Sequence, residues 1–339
     1  VMYTKEEYMR AFKTANDMFL RCGITSVHDA SFYGSDTIGL YQEACENGVI
    51  DVRMYVLLYH ACGKEKTIEW VNDFIKTGIR GGLGNEHFRL GHVKILIDGS
   101  TSGPSCAVSR PYEHDPALEG IQLYTQEEAD AVLIPAHNAG FNITAHAVGD
   151  KAVDVILSSI EKAQKLNPRP CRHRIEHCAI IDDEIIARLK KANVTVVSNP
   201  GFFIDNAAMY IKYYGDRVNC MFPLKSYLDK GIITAIGSDT PVIEPDPMIG
   251  IYTAVKRADS DGTVAGACQQ IGIMDAIRMY TYNGAYASLE EGIKGSIEPG
   301  KLADLVVLSD NILEAQPEEI MNIKTDITMI DGRIKYERI

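Results

Sequence analysis

Ile143-Thr144-Ala145-His146-Ala147-Val148-Gly149-Asp150 is the stretch on which the fold turns. It begins as an apolar, β-rich run and ends on a histidine. It then passes through a glycine and an aspartate into a helical pattern that continues to Leu166. Side chains alternate along a strand, so Thr144 and His146 share one face. A strand that delivers a polar group at its C-terminal end and leads at once into a helix is a βα unit.

The same unit repeats in both directions. Upstream, residues 24–28, 52–58 and 92–97 read as strands, and 36–47 and 67–77 as helices. Thr4-Lys5-Glu6-Glu7 is a capping box that opens a further helix, with Tyr8, Phe12, Ala15 and Phe19 at helical spacing and Gly23 at its stop. Thr125-Gln126-Glu127-Glu128 opens another helix, running to Gly140. Downstream come a strand at 172–178, a helix at 182–192, a strand at 194–198, a short helix at 223–231 and a strand at 232–237. Repeated β-then-α with short links gives a parallel sheet covered by helices.

An open doubly wound sheet and a closed barrel both satisfy that rhythm. No G-x-G-x-x-G follows an early strand, which counts against the dinucleotide-binding form of the open sheet. The polar residues count for the barrel. His28-Asp29, Asp98, His146, His177, Asn199 and Asp239 each fall at or just past the C-terminal end of a strand. One polar group per strand end, from many strands, is how a barrel builds a site. The expected fold is therefore α/β, a (β/α)8 TIM-type barrel. About seven strands are legible where eight are needed. The missing one is expected to be the first, because the chain opens on a helix. After Tyr286 the pattern changes to turn-rich segments and short strands at 305–308 and 327–330. Asp331-Gly332 is a hairpin signal, with 333–336 as the return strand. Residues 1–290 are expected to form the barrel domain and 291–339 a small C-terminal β layer.

Composition sets outer bounds. The chain has 339 residues, of which 46% are hydrophobic, so a large core is expected. The formal net charge of -12 speaks against nucleic acid or anionic membranes as partners. No 18-residue apolar run appears and the N-terminus carries no signal-peptide pattern, so a cytoplasmic protein is expected. The eight cysteines contain no C-x-x-C, and are expected to be buried, reduced thiols.

Two histidines and a carboxylate stand out as chemistry. His146, His177 and Asp239 lie on three strand ends, and two imidazoles with an acid are sensible ligands for Zn2+ or a similar divalent ion. In the stretch His173-Arg174-Ile175-Glu176-His177, alternation places His173, Ile175 and His177 on one face. Lys94 interrupts an apolar strand, and by parity Lys94, Leu96 and Asp98 face one way. A buried lysine is costly unless paired or neutral. Two readings stand: an ion pair with Asp98 or another inward acid, or a lysine carboxylated by carbon dioxide and bridging two metals. His173 and Asp98 are candidate substrate-binding groups. His28-Asp29 serves either the rim of the mouth or a turn. His60, His87, His114 and His137 read as solvated or structural. The link from Gly99 to Thr125 is long enough to form a lid or substrate wall.

These residues, in this order, make the chain resemble the amidohydrolase superfamily in its YtcJ-like, amidohydrolase-3 branch. The matching stretches are Gly23-Ile24-Thr25-Ser26-Val27-His28-Asp29, Val93-Lys94 through Asp98-Gly99-Ser100, His146-Ala147-Val148-Gly149-Asp150, Arg172-His173-Arg174-Ile175-Glu176-His177, Gly237-Ser238-Asp239-Thr240-Pro241-Val242, and the run from Gly295 to Leu305. The resemblance implies a metal-dependent hydrolase of amide or related C–N bonds acting on a small-molecule substrate. It implies His146 and His177 as metal ligands, Asp239 as a metal-binding acid that shuttles the proton, and Lys94 at the position of a bridging carboxylated lysine. It also implies a His-x-His pair at the end of the first strand, and this sequence contains none. The complete enzyme is expected to hold one or two Zn2+ ions. This chain is expected to begin midway, lacking an N-terminal segment, and to rely on that segment or on a homo-oligomeric partner. The competing expectation is a non-catalytic remnant whose three or four ligands hold metal weakly or not at all.

Overall fold

The computed structural model describes residues 3–30, 35–60 and 63–339. Seven strands form one parallel sheet in chain order: β1 (Ser26–Asp29), β2 (Arg53–Leu58), β3 (Phe88–Leu96), β4 (Ile143–Ala147), β5 (Arg174–His177), β6 (Thr195–Ser198) and β7 (Thr234–Ile236). The helices are α1 (Lys5–Arg21), α2 (Ser35–Glu46), α3 (Lys64–Lys76), α4 (Gln126–Asn138), α5 (Asp150–Leu166), α6 (Asp183–Lys191), α7 (Phe203–Tyr214), α8 (Leu224–Asp229), α9 (Pro247–Lys256), α10 (Ile273–Tyr280) and α11 (Tyr282–Ala287). Both capping boxes form as the sequence demands, with Glu7 and Glu128 reaching back to the backbone of Thr4 and Thr125.

The sheet rolls onto itself. Arg174 of β5 reaches across the interior to His28 of β1, Nη1 to Nδ1 3.1 Å, although these strands lie four places apart in the sheet. Among the described residues no ladder joins β7 to β1. The wall is thus a curled, open barrel of seven strands, as expected for a (β/α)8-type sheet short of one.

Alternation sorts the side chains. Val56, Ile95, Ile143, Ala145, Ile175 and Val196 face the helices and are fully buried. Each large aliphatic among them contributes roughly 1.5–3 kcal/mol on burial. The inner face is polar instead. It carries Tyr55, His92, Lys94, Thr144, Arg174 and Glu176, all buried and tied to one another or to backbone. The segment around α11 seals the N-terminal end of this interior. Arg172 clasps Glu291 at 2.8 and 2.9 Å and stacks on the Tyr286 ring, while Arg174 donates to the carbonyl of Ala287. That leaves the C-terminal strand ends as the open mouth.

A second, antiparallel sheet follows: β8 (Leu305–Leu308), β9 (Thr325–Ile330) and β10 (Arg333–Glu337), in the order β10-β9-β8. Asp331 and Gly332 both have positive φ, +54° and +70°, as a two-residue hairpin turn of matching twist requires. This sheet lies against α1 and β2. Thr328 donates to Leu20 O at 2.6 Å, and a Cβ on Gly23 would stand 2.8 Å from Val306 Cγ2.

Three expectations need correction. The third strand starts at Phe88 rather than 92, because Gly91 continues the strand where the Tyr55 ring leaves no space for a side chain. Helices α7, α9 and α10 were not legible as separate units. The seven described cysteines are free, but only Cys106 and Cys178 are buried, and Cys220 and Cys268 are exposed. Cys62 lies outside the described residues. Among the described residues, no helix is long and apolar enough to cross a membrane.

Candidate metal centre

His146 closes β4 on the inner face, beside Leu96 of β3 and Glu176 of β5 in the ladder. Its Nε2 lies 2.9 Å from Gly99 O. A carbonyl only accepts, so Nε2 carries the hydrogen, and Nδ1 keeps its lone pair while the ring is neutral. Burial, then His177, then Lys94 push its pKa down to about 3. Asp98 stands behind it, Oδ1 3.6 Å from Nε2. Asp98 is almost fully buried, and its oxygens accept from the backbone N–H groups of Ala107, Val148 and Gly149 at 2.9–3.0 Å. Burial lifts its pKa to about 7 in spite of those three donors. Gly149 makes the clamp possible, since a Cβ there would meet Ala107 O at 2.0 Å. The long 99–125 segment is thereby fixed as a wall beside His146. Its far side packs on α7 through Tyr112, Tyr210 and Tyr214.

His177 ends β5 and reaches the mouth by a different route. Ile175 points to the helices, so strict alternation would send His177 the same way. Instead His177 and Cys178 take positive φ, +71° and +46°, and the chain leaves the strand. The turn brings the His177 ring edge-on to His146, with centroids 4.5 Å apart and planes at 71°. Its Nδ1 lies 2.7 Å from Asn199 Oδ1. Burial, followed by Lys94, lowers its pKa to about 4.

Asp239 follows β7, also at positive φ, +58°. It keeps an exposed surface in the mouth but is ringed by protein. Enclosure raises its pKa, against Lys94 and His146, with Glu176 adding to the rise. Lys94 lies inside the curl and donates to Ala30 O at 2.9 Å. Burial depresses its pKa, while Glu176 and Asp239 oppose that shift. Glu176 accepts from Thr144 and Arg174, both at 2.7 Å. Burial opposes its ionisation, but Arg174 and Lys94 hold it below the usual carboxylate range.

The structure therefore brings His146, His177, Asp239 and Lys94 to one mouth. It does not bring His173 there. His173 lies just before β5 on the helix side, where Nδ1 accepts from Ile143 N–H at 3.1 Å and Nε2 meets His137 Nδ1 at 3.0 Å. Asp98 is near the site, yet its oxygens are taken up by backbone donors and not offered to a substrate. Nor is it the partner of Lys94, on which the charges of Glu176, Asp239 and Asp29 act. Sequence reasoning passed over Arg174 and Glu176 as site residues and noted Asn199 only as one polar strand end. A signal existed for the first two: arginine and glutamate two apart in a buried strand mark a polar inward face.

His137, Cys171 and His173 are the only His, Cys, Asp or Glu trio among the described residues with ligand atoms all within 4.8 Å of one another. They do not need an ion. The Ile143 amide fixes the hydrogen of neutral His173 on Nε2, which donates to His137 Nδ1, and His137 Nε2 donates to Asn167 O at 2.8 Å. Both lone pairs a metal would need are already used. His146, His177 and Asp239 are set wider than that.

The sequence matches the profile of the amidohydrolase family over residues 1–336. The chain belongs to that family. The YtcJ protein of Bacillus subtilis (strain 168) is 29% identical over 93% of this chain and 59% of its own length. N-substituted formamide deformylase of Arthrobacter pascens is 25% identical over 99% of this chain and 62% of its own length. The crystal structure of an uncharacterized metal-dependent hydrolase from Pyrococcus horikoshii OT3 superposes with a TM-score of 0.81 at 25% identity, covering 93% of this chain and 62% of that one. The chain thus spans about three fifths of the length of these relatives.

The donors of this amidohydrolase chain suit a divalent ion in kind. Two imidazoles are held neutral, each with one hydrogen-bonded nitrogen and one free. A carboxylate stands at the same mouth. Three protein ligands and an open position are the usual complement of a catalytic zinc.

Proposed function

We propose that this chain forms the larger part of a metal-dependent hydrolase of amide or related C–N bonds, with zinc at His146, His177 and Asp239. The observation that carries the reading is the edge-to-face pair of neutral histidines at the mouth, 4.5 Å apart, beside an acid of raised pKa. A bound divalent ion supplies Lewis acidity, which activates water and polarises a carbonyl.

The side chains do the rest. His146 and His177 are neutral rather than imidazolium at neutral pH, so each offers one lone pair without first losing a proton. Asp239 takes the proton of the attacking water and returns it to the leaving nitrogen. Its exposed edge gives it access to both. Lys94 serves as an ammonium counter-charge to Glu176 and Asp239. Its Nζ lies 2.9 Å from Ala30 O and its charge acts on both acids, which supports the counter-charge role. A small-molecule amide is the substrate class, in keeping with the deformylase relative. A cytoplasmic setting, which keeps thiols reduced, accords with the free thiols of the seven described cysteines.

A second reading, a remnant that no longer holds metal, draws on the wide spacing of the three ligands. Metal content separates the two. The purified chain is expected to carry about one zinc, as a three-ligand site predicts, and to hydrolyse small N-formyl or N-acyl amines. A chain that stays metal-free after incubation with zinc and is inert toward those amines would favour the remnant.

A further inference from the structure

Asn199 sits immediately past β6, between the two strands that deliver His177 and Asp239, and it is buried to 4% exposure. Its two polar atoms have different partners. Nδ2 donates to Gly237 O at 2.8 Å, and Oδ1 lies 2.7 Å from His177 Nδ1. The carbonyl of Gly237 only accepts, so it decides which way the amide faces. With Nδ2 committed to Gly237, Oδ1 must face His177. An amide oxygen only accepts, so His177 Nδ1 must be the donor. In a neutral imidazole that leaves Nε2 bare.

The chain of logic starts at β7 and ends at the ligand on β5. Gly237 lies two residues before Asp239, so one side chain couples the placement of both expected ligands. His177 needs such a restraint. Its left-handed backbone has already left the sheet ladder, and Phe202 packs beside its ring without fixing either nitrogen.

We propose that Asn199 is a positioning residue that locks His177 in the Nδ1–H tautomer, so that Nε2 is the nitrogen presented to a metal ion. The metal half of this statement rests on the function proposed above. The tautomer half does not. Partners of this kind behind a ligating histidine change metal affinity by about 10–100-fold.

The test uses the metal-free chain first. Long-range 1H–15N correlation of the imidazoles, with His177 assigned by His177→Gln, is expected to show Nδ1 protonated and Nε2 bare. Asn199→Ala should move His177 toward the Nε2–H tautomer that imidazole prefers in water. Asn199→Asp keeps an acceptor for Nδ1–H and should retain the native tautomer. Thermal melts confirm that each variant is folded. Zinc affinity is then measured by competition with a chromophoric chelator. Asn199→Ala should weaken it by about 10–100-fold, with Asn199→Asp recovering much of the loss. An unchanged His177 tautomer in folded Asn199→Ala, or an Nε2–H tautomer in the native chain, overturns the inference. A native chain with the expected tautomer that takes up no zinc overturns the metal reading instead, and leaves the assignment of Asn199 to His177 standing.

Discussion

Arg53 and Asp304 are 251 residues apart in sequence and form a buried two-pronged ion pair, Nε to Oδ2 2.6 Å and Nη2 to Oδ1 2.9 Å. Arg53 opens β2 of the barrel wall, and Asp304 immediately precedes β8 of the small sheet. The aspartate belongs to the Gly300-Lys301-Leu302-Ala303-Asp304-Leu305 run by which the family resemblance was drawn. That run is therefore a structural joint between the two sheets and has no part in the mouth. Asp331 at the hairpin turn also bonds the same guanidinium. Removing one partner of a buried pair leaves an uncompensated charge, at a cost of about 3–5 kcal/mol. Asp304→Ala is expected to destabilise the fold by roughly the lower end of that range, because Asp331 remains. Urea denaturation measures it. A loss under about 1 kcal/mol, the level of an exposed pair, would show that the joint carries little.

Acid should unfold this protein from an unusually mild starting point. His28, His92, His137, His146, His173 and His177 all have pKa values depressed first of all by burial. Unfolded, each titrates near 6.5. The unfolded chain therefore binds more protons below that pH, and stability is lost as pH falls from about 6.5 toward the folded values. For His173 the folded value is about 3. Across that window it contributes a slope of about 1.4 kcal/mol per pH unit. His173→Asn should flatten the dependence of unfolding free energy on pH by about that amount between pH 6 and 4. Parallel curves for the two proteins would contradict the assignment.

How much of this was legible beforehand depends on where each residue's fate is decided. His146 was placed correctly by alternation because β4 is a regular strand up to that residue. His177 was grouped with Ile175 by the same rule, and the rule failed. Two left-handed residues end β5, and nothing in Glu176-His177-Cys178 announces them. His173 looked like a site residue because alternation put it on one face with His177. Its partner His137 sits on α4, a contact across elements that no local pattern carries. The third strand was read from 92 and not from Phe88, and at Gly91 within it the Tyr55 ring leaves no room for a side chain. Asn199 was noted only as one polar strand end among several. Its importance comes from a carbonyl on the next strand. The fold was readable because it rests on repeated local units, and the site only partly so because it rests on contacts between them.

Asp239 and stability should pull in opposite directions. The raised pKa means that the protein disfavours the charged carboxylate in its metal-free state. Asp239→Asn removes that charge with little change in shape. The variant is expected to lose about 10²–10⁴-fold in kcat/KM on any amide substrate, the usual contribution of a general acid–base group. Its denaturation midpoint without metal should be no lower than that of the native chain. Activity within threefold of native would rule out the proton-transfer role. A lower midpoint in the absence of metal would contradict the sign of the shift.

Thiol reactivity should divide the cysteines by exposure. Cys220 and Cys268 lie at the surface, whereas Cys106 and Cys178 are fully enclosed. Cys106 also sits among the hydroxyls of Tyr112 and Tyr214, and burial pushes its pKa up to about 12. In a Cys62→Ser background, an aromatic disulfide reagent should label Cys220 and Cys268 first. Cys106 and Cys178 should react on the order of 100-fold more slowly, through opening of the fold. Peptide mapping of the labelled chain identifies the sites. Fast labelling of Cys178 would be the damaging result, since that residue adjoins His177.

Gly149→Ala tests whether the wall beside His146 is held as described. The added Cβ would meet Ala107 O at 2.0 Å and Ala107 C at 2.6 Å, and backbone atoms cannot swing aside as a side-chain tip can. Either the 99–125 segment lifts or the turn after β4 shifts. The first move breaks the bond from Ala107 to Asp98 and the second those from Val148 and Gly149, so Asp98 loses donors while remaining buried either way. Overpacking of this kind costs about 1–3 kcal/mol, and orphaned donors and acceptors add a similar amount. The barrel wall itself is untouched, so the chain should still fold, with the loss concentrated at the mouth. Hydrogen exchange reads this directly: the amides of Ala107, Val148 and Gly149 are expected to lose protection while Ile95 and Ala145 keep theirs. Uniform protection in the variant would mean that Asp98 is not what fastens the wall, and the placement of His146 would need another cause.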